Sequence, residues 1–376
     1  MIYLDNAATT RPFADVLTEY TRISQANFAN AGSTHYFGYQ AKTILEEARR
    51  SILSDLGLGS NYRLLFTSGA TEANNTVFKG IAARYGSRGK KILVGPTEHP
   101  SVANTAASLA KYGFEVVVLP CDEDGKVQPE TLRSYMDKQT ILVSIMAVNN
   151  ETGTVNDLKA LAEVVHAFPK AFFHSDATQA VGKMKMDYQD VDLLSFSGHK
   201  FHGVKGSGAL VYRSQIQFEP LHSGGAQENG FRAGTVDVAG AHVLAYALHR
   251  CVVSQAADLA KVSELAAYLR EKLQQNPDIV MNSPKDASPY VLDISFLRHK
   301  ASVIVEALSE KEIYVSSIAA CSTKSETFST VLEAMGKPRE LCANSLRISF
   351  SPETTKEELD TFYDTLTAIL GEVHVR

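Results

Sequence analysis

Leu193-Leu194-Ser195-Phe196-Ser197-Gly198-His199-Lys200 sets a short apolar run against small residues and ends on a lysine. It reads as a buried strand, Leu193–Phe196, that opens into a turn and delivers Lys200 at the strand end, where open α/β sheets bind their ligands. Runs of the same kind lie on either side: Leu64–Phe66, Ile92–Val94, Val116–Leu119, Ile141–Val148, Phe172–His174 and Ala209–Tyr212. Helical patterns alternate with them, which predicts an α/β fold with a mainly parallel seven-stranded sheet covered by helices on both faces. Between residues 40 and 56, Ala41, Ile44, Leu45, Ala48, Ile52 and Leu56 recur at helical spacing and form one apolar face.

The last third changes character. Helical patterns at 256–273 and 301–309, strand-like Tyr290–Phe296 and Arg347–Phe350, and a polar small-residue stretch from Ser316 to Ser329 predict a smaller α+β domain. The expected division is a large domain over 14–255 and a small domain built from 1–13 plus 256–376.

Size and charge narrow the function classes. The chain has 376 residues, 44% of them hydrophobic, with 37 Lys+Arg against 42 Asp+Glu and a net charge of -5. That balance makes no global electrostatic case for a nucleic-acid or membrane-surface partner, so small molecules and proteins are expected instead. No apolar run approaches the ~18 residues of a membrane span, and Met1–Asn6 lacks a basic region followed by an apolar stretch. A cytoplasmic location is expected. Cys121, Cys251, Cys321 and Cys342 are far apart and form no CxxC pair, which argues against a zinc site or a disulfide framework.

Three further strand ends carry reactive groups. Phe66-Thr67-Ser68-Gly69-Ala70-Thr71-Glu72 runs from a strand into a helix start, where backbone N–H groups and the Thr71 hydroxyl can hold a phosphate. Taken alone, such a sequence is more often plain capping. Thr97-Glu98-His99 follows the Ile92–Val94 run and offers a ring that can stack on a planar cofactor or move protons. His174-Ser175-Asp176-Ala177-Thr178-Gln179 places a carboxylate at a strand end, where it can keep a pyridine nitrogen protonated or simply cap a turn. An isolated lysine is usually a solvated charge. The joint occurrence of phosphate turn, histidine, carboxylate and Lys200, each after its own strand, outweighs the separate bland readings.

These motifs resemble the cysteine desulfurases, the NifS/IscS-like branch of the class-V aminotransferase family of pyridoxal 5'-phosphate (PLP) enzymes with the aspartate aminotransferase-like fold (fold type I). The resemblance spans Tyr3-Leu4-Asp5-Asn6-Ala7-Ala8-Thr9-Thr10 to Ser345-Leu346-Arg347-Ile348-Ser349. It includes Val148-Asn149-Asn150-Glu151, the Thr71, Asp176 and Lys200 motifs, and Arg232-Ala233-Gly234-Thr235. It implies that Lys200 holds PLP as a Schiff base, Asp176 pairs with the pyridinium nitrogen, Gln179 contacts the ring hydroxyl and His99 stacks on the ring. Ala70, Thr71, Ser197 and His199 would bind the phosphate, with Thr235 reaching it from the other subunit of a homodimer. Asn150 and Arg347 would hold the substrate L-cysteine. Cys321, in Ser316-Ser317-Ile318-Ala319-Ala320-Cys321, matches the family's nucleophile, which takes sulfur as a persulfide and releases alanine. The implied partner is a protein sulfur acceptor, such as a cluster scaffold in iron–sulfur assembly or a thiolation enzyme.

The chain departs from the family pattern beside that cysteine. Ile318 and Ala319 stand where glycine and serine are usual, and a β-branched residue removes backbone freedom that glycine supplies. Ala31, Val204 and Ser223 replace usual proline, proline and glycine, and leave the cofactor residues in place. Two alternative readings keep the same cofactor: a selenocysteine lyase or other amino acid lyase, and a catalytically weak sulfur-relay subunit that needs a partner.

Overall fold

The computed structural model describes residues 1–317 and 328–372. All seven apolar runs form strands of one sheet, in the spatial order Tyr62–Thr67, Gly208–Arg213, Leu193–Ser197, Phe172–Asp176, Thr140–Ser144, Lys91–Val94 and Glu115–Val118. Neighbours from Leu193–Ser197 through Glu115–Val118 pair in parallel, and Gly208–Arg213 is antiparallel to both strands beside it. Tyr62–Thr67 therefore runs the same way as Leu193–Ser197, and both deliver their last residues to one edge of the sheet.

Both faces are covered, which is why the strands are near-continuous apolar runs. Leu194, Phe196, Phe173 and Val143 point into one core, while Leu193, Leu142, Ile92 and Leu210 point into the other. The helix Tyr36–Asp55 packs Ala41, Leu45, Ala48 and Ile52 into the first of these, with His35 capping its start by accepting from the Gly38 N–H.

A second body of structure surrounds a four-stranded antiparallel sheet, in the order Ser316–Ser317, Ser345–Ser349, Val291–Phe296 and Ile279–Met281. Its core holds Ile294, Phe296, Leu346, Ile348, Phe362 and Leu366, together with Leu4 and Ala7 from the N-terminal segment. Residue 255 lies inside a single helix, Val238–Gln274, whose first half (Val243, Leu244, Leu248) packs in the large-sheet core and whose second half (Val262, Leu265, Leu269) packs in this one. Among the described residues no helix is long and apolar enough to cross a membrane.

Candidate active site

The C-terminal strand ends meet the N-terminal segment around a cavity of about 340 Å3, and Lys200 forms part of its wall. After the strand Leu193–Ser197 the chain makes one tight turn, Gly198–Lys200. Lys200 Nζ then donates to the carbonyls of Ala7 at 2.6 Å and Ala8 at 2.8 Å. The Asp5–Thr10 segment is anchored on the same turn, since Thr10 N–H donates to His199 O and His199 Nδ1 meets Thr9 Oγ1 at 3.1 Å.

Asp176 ends the neighbouring strand and is 4% exposed. Its Oδ2 accepts from Asn74 Nδ2 at 2.8 Å and its Oδ1 from the Thr178 N–H at 3.0 Å, so the carboxylate is fixed from two sides. Asn74 escaped sequence reading because its contact spans 102 positions and a polar residue inside a helix gives no local signal.

Gly69 opens the phosphate-type turn with φ of +152°, a conformation open to glycine, and its neighbour Gly208 approaches so closely that a Cβ on Gly208 would lie 2.5 Å from Gly69 Cα. The helix Ala70–Tyr85 begins there, and the Ala70 N–H donates to Ser197 Oγ at 2.7 Å. Ala70, Thr71, Ser197 and His199 all line the cavity, at the positive end of that helix. Burial, then the nearby Lys200, pulls the His199 ring down to about 4, so it is neutral at ordinary pH.

His99 caps the helix Pro100–Ser108, with Nδ1 accepting from the Ser101 N–H at 3.1 Å. Nδ1 is thereby the unprotonated nitrogen, and the neutral ring carries its proton on Nε2. The ring opens onto the cavity, yet the protein around it lowers its pKa by desolvation, Asp176 opposing and Lys200 adding to the effect.

On the opposite wall, Arg347 sits in the middle of the strand Ser345–Ser349, directly across from Asp293 and Ser316. It is buried; Nη1 donates to Asn150 O at 3.0 Å and Nη2 to Asp5 Oδ1 at 2.9 Å. Its Nε has no hydrogen-bond partner among the described residues. The cavity thus brings together Ala70, Thr71, His99, Asn150, Asp176, Gln179, Ser197, His199, Lys200 and Arg347. Thr235 does not join them within one chain: it is exposed and lines a separate cavity of about 220 Å3 with Glu228 and Arg232. Cys321, with Ile318 and Ala319, lies outside the described residues.

A large α/β sheet with a lysine at its C-terminal edge and a carboxylate on the adjoining strand defines an enzyme site of the aspartate aminotransferase-like fold, and solved structures agree. The chain superposes on a NifS-like protein with a TM-score of 0.92 and 34% identity, covering 99% of this chain and 100% of that one. The family model for class-V aminotransferases matches residues 2–362. The cysteine desulfurase IscS of Dictyoglomus turgidum is 37% identical over 376 residues, 99% of this chain and 95% of its own. A NifS/IcsS protein homolog of Lactobacillus delbrueckii subsp. bulgaricus is 36% identical over 367 residues, 96% and 95% of the two chains. The chain belongs to the cysteine desulfurase branch of the class-V aminotransferase family.

Proposed function

We propose that this chain is a PLP-dependent L-cysteine desulfurase that moves sulfur from cysteine to Cys321 and releases alanine. The observation that carries the reading is the convergence of an amine, a fixed carboxylate, a helix N-terminus and a guanidinium on one cavity. The groups suit the cofactor by their chemistry. Lys200 Nζ would supply the amine that holds its aldehyde, Asp176 a buried anion for the pyridinium, and Thr71, Ser197 and His199 donors for the phosphate, with Ala70 lining the same turn. When bound, the cofactor withdraws electrons from an attached amino acid and weakens the bonds at its α-carbon.

The chain's own residues do the remaining work. Arg347 and Asn150 orient the amino acid, the guanidinium taking its carboxylate by charge-assisted hydrogen bonds. The Lys200 amine and the His99 imidazole stand on the cavity wall where a proton can be taken and returned. The Cys321 thiolate attacks the substrate sulfur; the S–S bond forms, the C–S bond breaks, and its electron pair ends as a C–H bond of alanine. Cysteine and the enzyme thiol thus become alanine and an enzyme persulfide. The persulfide then passes to a protein sulfur acceptor. Thr235 would complete the phosphate site of a second copy in a homodimer.

Loading with radiosulfur-labelled cysteine and mapping the labelled peptide tests the reading. Label on the peptide containing Cys321, with alanine released, is the expected result; alanine without label on any cysteine would refute the transfer step.

A further inference from the structure

We infer that Lys183 is a positioning residue that locks the side-chain amide of Gln179, so that the cavity is met by the amide's N–H and not by its oxygen. The inference rests on the PLP reading above and deepens it, because Gln179 lines the cavity and is the group expected beside the ring hydroxyl.

The geometry starts with a glycine. After Asp176 the chain turns through Ala177–Met184, and Gly182 takes φ of +76°, where a Cβ would come within 2.8 Å of Phe201 Cβ. That turn tucks Lys183 inward, leaving it 5% exposed, and its Nζ donates to Gln179 Oε1 at 2.8 Å. Gln179 Nε2 in turn donates to Ala7 O at 2.9 Å, the carbonyl that also accepts from Lys200 Nζ.

An amide oxygen and nitrogen are close in shape, so which way a glutamine faces is decided by its partners. Here both partners vote the same way. A protonated lysine only donates and a backbone carbonyl only accepts. Flipping the Gln179 amide would set acceptor against acceptor at Ala7 and, while Lys183 is protonated, donor against donor at its Nζ, breaking two buried hydrogen bonds at once. The amide can therefore present only N–H to a ligand oxygen.

Lys183 has no carboxylate partner among the described residues. The Tyr290 ring lies 5.9 Å from its Nζ, and the ionisable groups that act on it are Lys200, Arg347 and Cys251. Burial, then Lys200 and Arg347, draws its pKa down to about 7. A methionine would fill the same space without that cost.

The test uses PLP-loaded full chains: wild type, Lys183→Met, Gln179→Leu and the double variant. The readouts are the pH midpoint of the cofactor's visible absorbance and the separate values of kcat and KM. An N–H donor to the ring oxygen stabilises its anionic form, so either single change should raise the midpoint by roughly half to one pH unit. The double variant should shift it no further than Gln179→Leu alone. An unchanged midpoint in Lys183→Met would overturn the inference. So would a Lys183→Met shift that reappears in full in the Gln179→Leu background, since that is a long-range charge effect. Lys183→Gln guards against a folding failure: it keeps a donor and should shift the midpoint less than Lys183→Met, and an equal or larger shift counts against the inference. A wild type with no visible band on adding PLP would overturn the cofactor reading itself, a distinct outcome.

Discussion

Arg347 Nη2 donates to the Asp5 carboxylate at 2.9 Å, and Asp5 is itself bridged to Ser349 on the strand that carries the arginine. The guanidinium is thus oriented before any substrate arrives, and its buried charge already has a partner. Asp5→Asn keeps the shape and removes the charge. Steady-state kinetics should show KM for cysteine raised about 10-fold with kcat nearly unchanged. Arg347→Ala should lower kcat/KM by about 100-fold or more, because it would also remove the group proposed to take the substrate's carboxylate. Equal KM in Asp5→Asn and wild type would show that Asp5 plays no part in orienting the arginine.

Lys200→Ala removes the amine held against Ala7 and Ala8. The purified variant should lack the visible absorbance band of lysine-bound PLP and should lose bound cofactor on gel filtration. A variant that keeps the wild-type spectrum would place the reactive amine elsewhere.

Acid should weaken the fold through its buried imidazoles. His174 is fully buried between Ser144 Oγ at 2.8 Å and Ser195 Oγ at 2.9 Å, and burial lowers its pKa to about 4, Asp176 opposing. In the unfolded chain it titrates near 6.5, so between these values the unfolded state binds a proton that the native state refuses. The contribution of His174 is complete above pH ~6.5 and declines as pH falls toward 4, by about 2 kcal/mol at pH 5. Thermal unfolding at pH 7 and pH 5 should show a smaller acid-induced drop in Tm for His174→Gln than for wild type. Equal drops would remove His174 from the account.

Burial works against three of the four cysteines as nucleophiles, because it disfavours the thiolate. Cys251 is buried with its thiol on Phe201 O, and burial pushes its pKa up to about 12; burial also raises Cys121 and Cys342. Brief alkylation of native protein near neutral pH should label Cys321 ahead of all three, read by peptide mass analysis. Changing Cys121, Cys251 and Cys342 together to serine should leave sulfur transfer in place.

The seven strands were legible because each is buried on both faces and so stands out as an apolar run. Where they stop was less so. Ile145, Met146, Ala147 and Val148 remain buried after the ladder ends at Ser144, so composition carries the reading past the strand. The helix Tyr36–Asp55 starts before the predicted residue 40 because its first turn shows exposed Tyr36 and Tyr39, which break the apolar stripe. In Val238–Gln274 the first half is apolar even on part of its exposed face, at Tyr246 and Val253, so its sequence shows little amphipathic contrast and only the second half was visible as helix. At the site, residues at strand ends could be picked out by position. Asp5, Asn74 and Lys183 could not, since each acts through a partner distant in sequence or through a turn whose direction depends on tertiary packing.

The central claim is that sulfur leaves cysteine at the Lys200 cavity and is taken up by Cys321. The most direct measurement compares wild type with Cys321→Ala, both loaded with PLP and given radiosulfur-labelled cysteine. The account predicts label on the Cys321 peptide of the wild type, and in the variant an unchanged cofactor absorbance with neither bound label nor sulfide release. Sulfide and alanine formed by Cys321→Ala at the wild-type rate would contradict it.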